Sequence, residues 1–323
     1  GEQGGIDFWT GHLTNGVSRA KVLAEFADSP ENIAKTAETF DDMRLVEDQW
    51  IFGQPNTWSQ VGRDLDGEAP GDMSGSSVSL SADGNWLAVG APQNDGIQNQ
   101  FNDSGHVRVF ACSGISWKQL GDDIDGEAGD RSGESVSLSA NGERLAIGAP
   151  QPFNEDTGSQ AGRVRVYAWS GTSWLQLGED VDGEYLGVWS GVSVSLSADG
   201  SRLAIGAPWN SDNGSESGHV RVYAWSGSAW KQLGGDIDGE AGTFSGQSIS
   251  LSADGNRVAI GAKESLKDVF FPGQVRVYEW SGTNWLQLGD DIEGEDVGRS
   301  RFGASVSLSA DGNRLAIGAP WYN

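Results

Sequence analysis

The acidic residues of this sequence recur in a pattern that could hold a cation. Five stretches, DLDGE at Asp64, DIDGE at Asp123, DVDGE at Asp180, DIDGE at Asp236 and DIEGE at Asp291, set acids at alternate positions around a glycine. Glycine permits a sharp bend, so the oxygens of one stretch can converge on a hard ion such as calcium. The candidate ligands are Asp64, Asp66 and Glu68; Asp123, Asp125 and Glu127; Asp180, Asp182 and Glu184; Asp236, Asp238 and Glu240; and Asp291, Glu293 and Glu295. Each set falls short of a full helix-loop-helix calcium loop, and Asp72 or Asp130 could add oxygens. The competing reading is a polar connector whose acids face water or pair with Arg108, Arg165, Arg221 and Arg276, which recur with the same period. Calcium is the only cofactor the sequence suggests.

Groups for acid–base or nucleophilic chemistry are scarce. Of three histidines, His12 stands alone, while His106 and His219 sit in GHV where sister stretches carry Arg163 or Gln274. They read as strand-start positions rather than as a base. The serines lie mainly in SxSLS stretches, with no His and Asp arranged as a triad. Nearly identical repeats also offer no distinguished pair of acids of the kind glycoside cleavage needs. The expectation is a protein that is not an enzyme. Cys112 replaces a residue that is Trp169, Trp225 and Trp280 elsewhere, and a lone cysteine excludes a disulfide framework.

The elements that position these residues repeat as well. SVSLSADGNWLAVGAP at Ser77 returns in near-copies at Ser135, Ser193, Ser248 and Ser305. The central residues Val78, Val136, Val194, Ile249 and Val306 are spaced by 58, 58, 55 and 57, which marks a repeat architecture. Within a unit, SVSL alternates small polar and apolar side chains, an Asn/Asp-Gly turn follows, and RLAIGAP, VRVYAW and WLQLG continue the period of two. The predicted fold is all-β, a five-bladed β-propeller of four-stranded antiparallel blades. The fifth unit supplies two strands, and QWIFGQPNTWSQVG, Gln49 to Gly62, matches the missing pair, so N-terminal strands are expected to complete the last blade. Closure would remove exposed sheet edges.

LAIGAP followed by GxVRVY, with Phe302-Gly303 ahead of one SVSL, resembles the FG-GAP repeat of integrin-like propellers. That resemblance implies an extracellular adhesive protein. The acidic calcium loop of the integrin type is not matched by the short SADGN and SANGE turns, so calcium at that turn is not carried over. Residues 1–40 have a helical pattern, with Val22, Leu23 and Phe26 at helix spacing and Ser29-Pro30-Glu31 as a helix start. Through WTGHL, NGVS and SPEN they resemble part of a small helical domain of unknown function from large bacterial secreted proteins. The expected organisation is a partial helical domain at 1–40, a linker at 41–48 and the propeller at 49–323.

A formal net charge of −25 disfavours nucleic acid and anionic membrane surfaces as partners. The loops between the second and third strands vary among repeats and are expected on the same face as the acidic connectors, with Trp209, Phe270 and Phe271 as candidate contact residues. The functional expectation is a secreted, non-catalytic adhesion module presenting these loops to a glycan or protein at the cell surface. The alternative is a subunit of an extracellular filament, sheath or surface layer, binding copies of itself by strand exchange.

Overall fold

The computed structural model describes residues 60–95, 103–150, 161–263, 272–295 and 301–320, together with the backbone of Met43–Val46 and Gln49–Phe52. The chain divides into two compact units, Gly1–Val61 and Gly62–Asn323. In the first, Met43–Val46 and Gln49–Phe52 form an antiparallel pair with Met43 opposite Phe52. The helical segment expected before them lies outside the described residues.

The second unit is all-β and propeller-like. In its third blade Ser193–Leu196 pairs with Arg202–Ala207, which pairs with His219–Trp225, which pairs with Trp230–Gln232, all antiparallel. The outermost strand is broken, and its second piece, Ile237–Asp238, pairs with the start of the third strand at His219. That second piece is the beginning of the acidic connector. The first, second and fourth blades have the same order, and a fifth contributes Ser305–Leu308 and Leu315–Gly318. Completion of that fifth blade by Gln49–Gly62 is not among the described pairings, where Gln49–Phe52 pairs with Met43–Val46. The boundary between the compact units follows Val61.

The alternation of SVSL has a physical cause on both faces. Its apolar residues enter cores shared by neighbouring blades: Val194, Leu196, Leu203 and Ile205 pack with Val164 and Val166 of the preceding blade. Its serines stitch blade to blade. The first donates to a glycine carbonyl of the next blade, as Ser193 Oγ does to Gly246 O at 2.7 Å. The second accepts a backbone N–H of the next blade, as Ser137 Oγ does from Leu196 at 2.9 Å. Both bonds recur around the unit, each contributing about 1 kcal/mol. Blades approach so closely there that a Cβ on Gly206 would lie 2.0 Å from Gly246 O, which explains the glycine of LAIGA.

Tryptophans seal the same junctions farther out. Trp174, Trp230 and Trp285 donate from their indole nitrogens to Leu120, Leu177 and Leu233 of the preceding blade, at 3.1, 2.9 and 3.0 Å. Before each first strand one non-glycine residue has a left-handed backbone: Met73, Arg131, Trp189, Phe244 and Arg301, with φ between 51 and 55°. This disfavoured conformation recurs once per repeat because it turns the following glycine carbonyl toward the preceding blade's serine.

Candidate functional site

Each connector sends its three acids to three different places. The first turns inward and accepts a hydrogen bond from the fourth-strand glutamine: Gln119 to Asp123 at 2.6 Å, Gln176 to Asp180 at 2.7 Å, Gln232 to Asp236 at 2.6 Å and Gln287 to Asp291 at 2.7 Å. The second acid, Asp66, Asp125, Asp182, Asp238 or Glu293, is exposed. The glutamate reaches the third strand of the next blade. The convergence expected within one connector therefore does not occur; acids converge between consecutive connectors, across the start of a third strand. In the first connector Asp64 is exposed, and in the last Glu295 is exposed.

Two residues on one face of that strand start decide what the acids meet. They are Arg163 and Arg165 in the second blade, Gln274 and Arg276 in the fourth, His106 and Arg108 in the first, and His219 and Arg221 in the third. In the second blade both guanidinium groups enter the acid cluster. Arg165 donates to Asp180, Asp130 and Glu127, each at 3.0 Å, and Arg163 lies 3.4 Å from Glu127 and 3.3 Å from Asp180. Burial alone would lower the Arg165 pKa, but Asp180 and Asp130 outweigh it and hold it above its usual value. In the fourth blade Arg276 binds both Asp291, at 2.8 Å, and Glu240, and its hydrogen bond holds the Asp291 carboxyl below the ordinary range. The buried Gln274 amide, oriented by its neighbours, donates to Asp291 and accepts from Arg276.

The histidine blades differ. Their arginines swing to the preceding connector's backbone, Arg108 to Asp66 O at 2.7 Å and Arg221 to Asp182 O at 2.9 Å. The acids are left facing imidazole. His219 Nδ1 lies 3.6 Å from Asp236 and 3.8 Å from Glu184, and His106 Nδ1 lies 3.8 Å from Glu68 and 3.9 Å from Asp123. These separations are too long for hydrogen bonds. Burial, reinforced by Arg221, pulls the His219 pKa down to about 4 against Asp236 and Asp212, so the ring is neutral at pH 7 and these are not ion pairs. Burial, with Asp236 and Asp212, raises the Glu184 carboxyl against the opposing Arg221. Among the described residues these two Glu–His–Asp sets are where three potential ligand atoms lie within 4.8 Å of one another.

Asp130 and Asp72 add no oxygens to a cation site. Asp130 is fully buried, holding Arg165 and the Glu127 N–H, and Asp72 is buried against the Ala69 N–H and the Asn94 amide. The second loop does share a face with the connectors: Asn210 donates to Asp212 and Glu184, and Tyr185 Oη accepts from the Ser211 N–H at 2.7 Å. At the first blade, Glu68, Asn94, Gln119, Asp123 and Asp125 line an open polar groove beside His106. Trp209 is 37% exposed and packs on Trp189 and Phe244, with centroids 5.1 and 4.7 Å apart. Phe270 and Phe271 lie outside the described residues.

The histidines were read from sequence as strand-start positions, which they are, but their side chains complete the clusters. A signal was present: only the histidine repeats carry Asn after GAPx, Asn94 with His106 and Asn210 with His219.

The profile of a domain of unknown function (DUF4214) matches residues 1–36. No curated protein matches the chain in sequence. Among solved structures, the chain is similar to the periplasmic gluconolactonase of Pseudomonas aeruginosa, with TM-score 0.51 and 19% identity over 75% of this chain and 64% of that one. A candidate 6-phosphogluconolactonase from Bacteroides uniformis gives TM-score 0.46 and 11% identity over 79% of this chain and 65% of that one. The hydrazine synthase of Kuenenia stuttgartiensis gives TM-score 0.43 and 12% identity over 81% of this chain and 77% of that one. The chain thus spans less than two thirds of either lactonase-type neighbour.

One of these neighbours corrects three expectations. The neighbour with TM-score 0.51 is named as a gluconolactonase, not as an FG-GAP adhesin. A gluconolactonase is an enzyme, which corrects the reading of a non-catalytic adhesion module, its filament or surface-layer alternative, and the expectation of no enzymatic activity. The physical error lay in treating the blades as equivalent: one position, His, Arg, His or Gln in turn, breaks their symmetry at the acid clusters. No helix among the described residues is long and apolar enough to cross a membrane.

Proposed function

We propose that the chain contributes an extracytoplasmic sugar-lactone hydrolase, with the reaction at the first-blade groove. The observation that carries this reading is the pair of carboxylates, Glu68 and Asp123, that line an open groove and flank the buried His106. Opening a lactone requires a base to take a proton from the attacking water as it bonds to the carbonyl carbon. The ring C–O bond then breaks, and the departing ring oxygen takes a proton. Glu68 or Asp123 serves as that base, and its conjugate acid returns the proton. Asn94 and Gln119, already tied to Asp72 and Asp123, border the space a polyhydroxylated ring would occupy. Glu68, His106 and Asp123 also fit a divalent cation, which when bound would draw charge from the carbonyl oxygen.

The likeness to a periplasmic lactonase and the charge of −25 support a location outside the cytoplasm, a sugar derivative as partner, and neither nucleic acid nor membrane. The test is proton release from glucono-1,5-lactone, with and without divalent ions. Hydrolysis above the spontaneous rate is expected, falling by ~10²-fold or more in Asp123→Asn. A rate equal to the buffer blank, for both the lactone and its 6-phosphate, would overturn the reading.

A further inference from the structure

The third blade carries a feature that lactone chemistry does not use. His219 is 1% exposed, yet neither ring nitrogen has a hydrogen-bond partner. An unpaired buried imidazole is costly, and one aimed at two carboxylates without reaching either calls for a group between them. The spacing says which group. Ligands ~2.1 Å from a shared ion stand ~3.4 Å apart in tetrahedral geometry. The 3.6 and 3.8 Å separations from Nδ1 to Asp236 and Glu184 match two edges of such a polyhedron.

The second blade shows what belongs there. At the equivalent position the Arg163 guanidinium stands 3.4 and 3.3 Å from Glu127 and Asp180, the counterparts of Glu184 and Asp236. The chain supplies its own cation in one blade and a neutral nitrogen ligand in the other. Arg221 does not substitute, since it donates to Asp182 O and comes no closer than 3.7 Å to Glu184.

We propose that Glu184, His219 and Asp236 bind one divalent transition-metal ion of the zinc class, clamping the second blade's connector to the third blade. One imidazole with two carboxylates favours such an ion over calcium, which takes six or more oxygens. Water completes the coordination. The site is separate from the first-blade groove, and lactone hydrolysis can fail without affecting it.

The test is Zn2+ titration of the metal-stripped chain, with bound metal per chain and the thermal midpoint as readouts. His219→Gln places the fourth blade's own residue at this position, so the fold has a precedent for it. Glu184→Gln removes an exposed ligand without touching the buried strand. Wild type is expected to gain ~5 °C at hundredfold excess over Kd. Each variant is expected to bind one fewer Zn2+ and lose most of that gain. Co2+ should give the visible absorption of a low-coordinate nitrogen–oxygen site in wild type, reduced in both variants. Unchanged zinc stoichiometry and midpoint in Glu184→Gln would overturn the proposal, as would an equal midpoint gain from Ca2+ with none from Zn2+.

Discussion

The second and third blades share a backbone, a shared core and the same three acidic connector positions, yet settle their acids in opposite ways. Around Arg163 and Arg165 the carboxylates Glu127, Asp130 and Asp180 are neutralised by the chain itself. Around His219 the counterparts of Glu127 and Asp180, Glu184 and Asp236, face an imidazole that burial keeps neutral, and Val188 stands in place of Asp130. A repeat fold fixes where carboxylates stand; one side chain then decides whether the cluster is an internal ion pair or a ligand set.

The largest effect that would break this comparison is expected at Arg165. Arg165→Met would take from buried Asp130 its guanidinium partner, costing about 3–5 kcal/mol in urea unfolding. A loss below 1 kcal/mol would mean the second-blade cluster is not held by this cation.

A smaller effect is expected from acid on the metal-free chain. His219, facing Glu184, Asp236, Asp212 and Arg221, has a folded pKa of about 4. The unfolded value is near 6.5, so between these pH values the unfolded chain binds more protons. Stability should therefore fall as pH drops from about 6.5 to 4, by on the order of 3 kcal/mol. Arg163 contributes no such slope, because its guanidinium stays charged throughout. Unfolding midpoints in chelator for wild type and His219→Gln check this, the variant losing that component.

His219→Arg is expected to have the smallest effect. It gives the third blade the second blade's residue at this one position, removes the zinc response, and raises the metal-free midpoint by ~2–4 °C. A lower midpoint would show that the two clusters are not interchangeable.

Much of the fold was legible because each repeat states its own local structure. SVSL, the Asn/Asp-Gly turn and RLAIGAP specify alternating strands, and the fivefold period points to blades before any contact is known. The shared face of connectors and second loops followed from antiparallel strand direction and is seen at Asn210 and Tyr185. The pairing of Gln49–Phe52 with Met43–Val46 was not read from the sequence, although its short connection keeps the loop-closure cost low. Grouping the acids within each DxDGE misled because alternate residues of an extended strand point to opposite sides, so neighbours in sequence part company.

By itself, the sequence determined the blades, their junction serines and tryptophans, and the acidic face, because each is written once per repeat in a local pattern. Only the tertiary structure decided that Glu184 of one connector and Asp236 of the next meet across His219. That meeting depends on how one blade is set against its neighbour, through Ser137 and Leu196, Ser193 and Gly246, and the buried faces between them. Distances fixed by packing between blades are carried by no single repeat.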